Sequence, residues 1–280
     1  MGAATGDALG DSGAVDCDLL DFSSVREACH TVRRLTNDGD DGNGNGNGGI
    51  DVLCCNAGIM LQPDQASVDG YDITASTNVL SHFLITKELF GGLEKKASNS
   101  SEGGGARIVT MSSGSGYGAP SFDKRFFERR GGALGDDGRA SYERYHQSKL
   151  ANLAFTSALD RRLRARKSHV MAVACTPGVC GTDMYIHATS VMSRDGVSSP
   201  RDSVPSTEDG CLAQLKCVFD STVESGDLWG PKRMGEGGVA RTEIGPPMIL
   251  VEKSTEDALW EVCEEAVGSF ELPPPPQNFL

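Results

Sequence analysis

Ile50-Asp-Val-Leu-Cys-Cys-Asn-Ala-Gly-Ile-Met60 is the stretch on which the fold turns. Its short apolar run predicts a buried strand. Asn56, Ala57 and Gly58 predict a tight turn at the strand's end, because Asn and Gly tolerate backbone angles that other residues avoid. Two further segments are built alike. Arg107-Ile-Val-Thr-Met-Ser-Ser-Gly114 reads as a strand ending in two hydroxyls, and Val170-Met-Ala-Val-Ala-Cys-Thr-Pro-Gly-Val179 as a strand ending in Pro177 and Gly178. Helical stretches lie between them, one beginning near Asn78 and one carrying Ser141-Tyr-Glu-Arg-Tyr-His-Gln-Ser-Lys-Leu-Ala-Asn152. Strands alternating with helices predict an α/β domain with a parallel sheet.

On the second of those helices Tyr145 and Lys149 stand four residues apart and share a face. A free phenol titrates near 10, and a neighbouring ammonium favours the phenolate. Such a pair is expected to exchange a proton with an alcohol or carbonyl oxygen near neutral pH. The spacing alone is common, and a solvated Tyr and Lys is its plain alternative. Leu150, Leu153, Ala154, Ala158 and Leu163 give this helix an apolar face, and Arg161, Arg162, Arg164, Arg166 and Lys167 crowd its end, where the helix dipole favours cations.

Taken together, these motifs resemble the short-chain dehydrogenase/reductase family, and within it the retinol-dehydrogenase-like and WW-domain-oxidoreductase-like branch. The matching residues are Asn56-Ala-Gly-Ile-Met60 with Asp69-Gly-Tyr71, Asn78 with His82 and Phe83, Ser112-Ser113, Tyr145-His-Gln-Ser-Lys149 with Leu150-Ala-Asn152, Pro177-Gly178 with Thr182, Trp229-Gly-Pro231 and Leu259-Trp-Glu-Val262. The likeness spans residues 18–272.

The resemblance implies a Rossmann-like doubly wound sheet and NAD(P)-dependent interconversion of an alcohol and an aldehyde or ketone. It makes Tyr145 the acid–base and Lys149 its tuner and a ribose ligand. Ser113 polarises the substrate oxygen and Asn78 organises a water. It places Asp18 at the adenine, residues 56–58 and Pro177-Gly178 along the coenzyme, and Thr182 at its carboxamide or phosphates. NADP is favoured over NAD by branch analogy alone. The implied substrate is a small apolar alcohol or carbonyl, and homodimers are common in the family.

One family element is missing from the sequence. A dinucleotide site needs a strand, a glycine-rich turn and a helix whose N-terminal amides receive the pyrophosphate. Thr5-Gly-Asp-Ala-Leu-Gly10 has the look of that turn. Asp18 lies only eight positions after Gly10, whereas a strand–helix–strand unit takes about 30 or more residues. Residues 14–19 are therefore expected to form the third strand of the family's sheet, and the first two strands to be lacking. A chain truncated in this way has an alternative reading, an inactive remnant serving as a binding or regulatory protein.

Composition sets further bounds. A net charge of −13 argues against nucleic acid or an anionic membrane surface as partner. Nine cysteines without a Cys-x-x-Cys pair read as small buried side chains in a reducing, cytoplasmic setting. Five scattered histidines lack metal-ligand spacing. No run of 18 apolar residues marks a membrane span. Along the chain, Ser23 or Ser24 with Glu27 suggests a helix start, residues 38–49 a low-complexity loop, residues 183–227 a substrate lid, and residues 273–280 a Pro-rich extended tail. Met184, Tyr185, Ile186 and Met192 either line an apolar pocket or pack the lid.

Overall fold

The computed structural model describes residues 13–37, 48–99, 105–119, 121–193, 195–231, 244–245 and 251–272. The low-complexity loop (except residues 48–49), the Pro-rich tail, and Gly6 and Gly10 of the glycine-containing start lie outside these residues.

In chain order the elements are α1 (Phe22–Asn37), β1 (Val52–Cys55), the single turn α2 (Ile73–Ala75), a π-helical turn (Ser76–Leu80) that runs into α3 (Ser81–Asn99), β2 (Arg107–Met111), α4 (Gly138–Ala165), β3 (Met171–Cys175), α5 (Asp183–Met192), α6 (Thr207–Phe219), β4 (Leu228–Pro231), β5 (Ile244–Gly245) and α7 (Lys253–Val267). Strands β1 to β4 lie side by side in chain order and all pair in parallel, and β5 adds antiparallel to β4. Parallel neighbours need crossovers, which α3, α4 and the α5–α6 segment supply.

The two-residue period of the strands sorts their side chains between the faces. Ile108 and Ala172 point into the larger core, with Phe83, Phe155, Leu159 and Trp260 from α3, α4 and α7. Val109, Val173 and Cys175 point the other way, into a small core closed by Ala213 and Cys217 of α6 and by Trp229. The sheet is thus covered on both faces, as parallel sheets are.

Three expectations need correction. Residues 14–19 form no strand; the segment runs as coil and turn before α1, because Val15 and Leu19 stand among Gly13, Asp16 and Asp18 and never make a continuous apolar run. Among the described residues no strand pairs with the outer edge of β1. The start of α1 is set by Asp21 and not by Ser23 or Ser24: the Asp21 carbonyl accepts from the Val25 amide, and its carboxylate accepts from the Ser23 amide at 2.8 Å. The cysteines also divide. Six are buried, but Cys17, Cys54 and Cys211 are exposed.

Candidate active site

Ligands of open α/β sheets bind beyond the carboxyl ends of the strands. Here β1 leads into residues 56–58, β2 into Ser112 and Ser113, and β3 into Pro177 and Gly178, and all of them line one cleft of about 670 Å³. Tyr142, Tyr145 and Lys149 of α4 close one side, and Met184, Tyr185 and Ala188 of α5 with Gly210, Cys211 and Gln214 of α6 close another.

Helix α4 is fastened to β2 by a set of polar bonds. The Lys149 ammonium donates to the Met111 carbonyl at 3.0 Å, Asn152 Nδ2 donates to the same oxygen at 3.1 Å, and Ser112 Oγ donates to the Lys149 carbonyl at 3.0 Å. Gly116 lets the chain after β2 pass close to α4: a Cβ there would come within 2.9 Å of the Lys149 carbonyl. Tyr145 and Lys149 are both buried, and Ser113, whose hydroxyl donates to Ser115 Oγ and accepts from the Ser115 amide, both at 3.2 Å, lines the cleft beside them.

Asn78 sits in the π-helical turn, a local widening that often marks functional sites. Its amide is fully used. Oδ1 accepts from the Ile59 amide at 2.8 Å, and Nδ2 donates to the Ile59 carbonyl and to Ser148 Oγ, both at 2.9 Å. Asn78 thereby pins the turn after β1 onto the helices. His82, one turn on, has Nδ1 3.1 Å from the Asn78 carbonyl and is fully enclosed; burial pushes it down to about 4.

The expected electrostatic priming takes a different form. Burial pushes Tyr145 up to about 12, against a lowering from the Ser113 hydrogen bond. Burial likewise takes Lys149 down to about 8. The Lys149 ammonium lies 5.7 Å from the centre of the Tyr145 ring, with a proton committed to Met111. Sequence spacing predicts the closeness of the pair, but not the desolvation that overrides it.

Of the remaining sequence candidates, Thr182 caps α5, its hydroxyl accepting from the Tyr185 amide at 3.3 Å. Gly178 adopts φ +64°, a conformation glycine allows at little cost. Gly58 leaves room: a Cβ there would lie 3.5 Å from both Asn78 Oδ1 and the Lys149 ammonium. Asp18 is not among the cleft residues; its carboxylate accepts from the Leu20 amide at 2.9 Å in its own loop. Met184 and Tyr185 line the cleft, whereas Met192 is exposed. Met60, at the end of the Asn56–Met60 motif, lines it, and Met111, Tyr142, Cys211 and Gln214 do so without having been singled out from sequence. Among the described residues no group of three or more His, Cys, Asp or Glu side chains is arranged to hold a metal, and no helix is long and apolar enough to cross a membrane.

Sheet, cleft and motifs together define an α/β oxidoreductase-like architecture. No family model matches the chain. Polyprenol dehydrogenase of Homo sapiens is 37% identical over 61% of this chain and 46% of its own length. A chloroplastic short-chain dehydrogenase of Brassica napus, TIC 32 A, is 31% identical over 62% and 50%. Retinol dehydrogenase 12 of Mus musculus is 30% identical over 78% and 61%. The chain thus spans about half the length of the curated relatives it matches. Among solved structures, an uncharacterized protein from Mycobacterium paratuberculosis superposes with a TM-score of 0.63 and 28% identity, over 91% of this chain and 76% of the other. Fold, motifs and relatives assign the chain to the short-chain dehydrogenase/reductases, with retinol-dehydrogenase-like relatives.

Proposed function

We propose that the cleft binds a nicotinamide dinucleotide, NADP in preference to NAD, and interconverts a small apolar alcohol with its aldehyde or ketone. The single observation that carries this reading is the buried Tyr145 side chain with the Lys149 ammonium beside it and Ser113 in the same cleft, at the carboxyl ends of three parallel strands. The residues present suit the coenzyme: Gly58 leaves open the approach to Lys149, and Pro177 and Gly178 form the adjoining wall. When bound, the coenzyme supplies or accepts the hydride.

The chain's own residues handle the proton. Tyr145 gives it to, or takes it from, the substrate oxygen, and Ser113 donates a hydrogen bond to that oxygen as charge develops there. Lys149 would hold the ribose of the coenzyme and offer positive charge there, and Asn78 keeps the turn after β1 in place. Met60, Met111, Met184 and Ala188 give the cleft an apolar lining. That lining, and relatives named for polyprenol and retinol, favour an apolar substrate. We assign residues 183–227 the part of a substrate lid on the same grounds.

A second reading, a binding protein without turnover, draws on the unpaired outer edge of β1 among the described residues. Titration with NADPH and NADH, followed by turnover of a simple aldehyde, separates the two. The enzyme reading expects micromolar NADPH binding and turnover abolished in Tyr145→Phe. Unchanged turnover in that variant removes Tyr145 as the acid–base, and absence of coenzyme binding leaves the second reading standing.

A further inference from the structure

Four consecutive carbonyls along one irregular wall of the cleft each accept a side-chain hydrogen bond. Asn78 Nδ2 binds the Ile59 carbonyl at 2.9 Å, Gln62 Nε2 the Met60 carbonyl at 3.0 Å, His187 Nε2 the Leu61 carbonyl at 3.2 Å, and Arg144 Nη2 the Gln62 carbonyl. Leu61 is held at φ +55°, a conformation costly for a residue with a branched side chain and kept only where surroundings over-determine it. Three residues on, the Asp64 carboxylate accepts from the amides of Gly132, Leu134 and Gly135 at 2.8, 2.6 and 2.6 Å. The wall presents Met60 to the cleft.

Arg144 is the buried hub of this arrangement. It precedes Tyr145 on α4, and its side chain is 1% exposed. Its guanidinium donates to the carbonyls of Gly135 and Gln62, one from each of the two loops that Asp64 joins. Nε lies 3.2 Å from Asp72 Oδ2, without the alignment of a hydrogen bond, and the Asp72 side chain is also 1% exposed. The other Asp72 oxygen caps α2 through the Ala75 amide at 3.0 Å. A charge buried this deeply costs several kcal/mol unless paired, and a planar fork that serves two carbonyls while facing a carboxylate is a geometry that lysine cannot copy.

We propose that Arg144 is a positioning residue: it fixes the wall at residues 59–64 relative to the catalytic turn of α4, and so sets the width that Met60 leaves for the substrate's carbon skeleton. The inference rests on the oxidoreductase reading for its substrate, but not for its mechanical content.

The test uses hydrogen exchange and steady-state kinetics on two variants. Arg144→Lys keeps a cation beside Asp72 and gives up the fork. Arg144→Met combined with Asp72→Asn removes both buried charges. In each, the hydrogen-bonded amides of Ile59, Asp64, Gly132, Leu134 and Gly135 are expected to exchange at least tenfold faster, with the amides of β2 and β3 unchanged. KM for a bulky branched aldehyde is expected to rise at least fivefold, with a smaller change for a short one and a smaller change in kcat. Native exchange rates at the wall would overturn the proposal. So would an acceleration shared equally by β2 and β3, since that reports general loss of stability. If the wild-type protein neither binds NADPH nor turns over an aldehyde, the oxidoreductase reading falls while the exchange data still decide the role of Arg144.

Discussion

Asn78 and Ile59 are joined in both directions: the Asn78 carboxamide accepts the Ile59 amide at 2.8 Å and donates to the Ile59 carbonyl at 2.9 Å. A side-chain amide here mimics a strand neighbour, completing a backbone that has left the sheet. Aspartate has the same shape but only acceptors. Asn78→Asp is therefore expected to face the Ile59 carbonyl and Ser148 with an oxygen in place of a donor. The cost should be about 1–3 kcal/mol of stability, read as a lower denaturation midpoint at pH 7. A midpoint equal to wild type would show that the clasp contributes nothing.

Two glycines near Lys149 should respond differently to the same substitution. At Gly58 an added Cβ meets nothing closer than 3.5 Å, whereas at Gly116 it meets the Lys149 backbone at 2.9 Å. Gly58→Ala is expected to keep stability within about 1 kcal/mol while weakening NADPH binding at least tenfold. Gly116→Ala should lower the melting temperature, because the main chain of α4 has to shift. Calorimetry and coenzyme titration on both variants check this contrast; equal melting losses would contradict it.

The phenol of Tyr145 should stay protonated well past neutrality in the coenzyme-free protein. Burial holds it up at about 12, and the Ser113 hydrogen bond opposes that rise. The difference in ultraviolet absorbance between wild type and Tyr145→Phe should show no ionisation of this residue below about pH 10. Ser113→Ala should move the transition higher still. A Tyr145 transition near pH 7 would restore the simple picture of a phenol primed by its lysine alone.

Acid stability should reveal two buried groups working against each other. Burial raises Asp72 to about 6, outweighing the Ala75 amide and Arg144, while Asp64 adds to the rise. Its contribution is complete below its unfolded value near 4 and is lost as pH rises through 6. Burial lowers His82 to about 4, helped by Lys149 and opposed by the Asn78 carbonyl. Its contribution is complete above 6.5 and is lost as pH falls through 4. Each amounts to roughly 3 kcal/mol with opposite sign, so the two largely cancel between pH 4 and 6.5. Removing Asp72 uncovers His82: relative to wild type, Asp72→Asn should gain stability as pH rises from 4.5 to 6.5, by denaturant titration. Parallel pH curves would refute the coupling.

Much of this arrangement could be read from sequence because it depends on local pattern. The apolar runs ending at Cys55, Met111 and Cys175 mark the strands, and the polar turns after them mark the cleft. Tyr145 and Lys149 are found by helical spacing. What could not be read depends on enclosure or on distant partners. Spacing brings Lys149 near Tyr145, but only packing shows that water is excluded from both. Residues 14–19 carry Val15 and Leu19, yet a strand needs a neighbour to pair with. Asp21 outcompetes Ser23 and Ser24 as the helix cap because its carbonyl already receives the first helical amide. Arg144 left one trace, a charge in register with Ser148, Ala151 and Phe155 on the buried side of α4.

The sheet has unequal coverings, thick where α3, α4 and α7 pack and thin beneath α6. Tyr145, Lys149 and Asn78 all belong to the thick side. The α6 layer, with fewer buried apolar partners, is therefore expected to open more readily than the α3–α4–α7 layer that carries Tyr145, Lys149 and Asn78. Protease scission should begin around residues 195–206, and amides of α6 should exchange faster than those of α4.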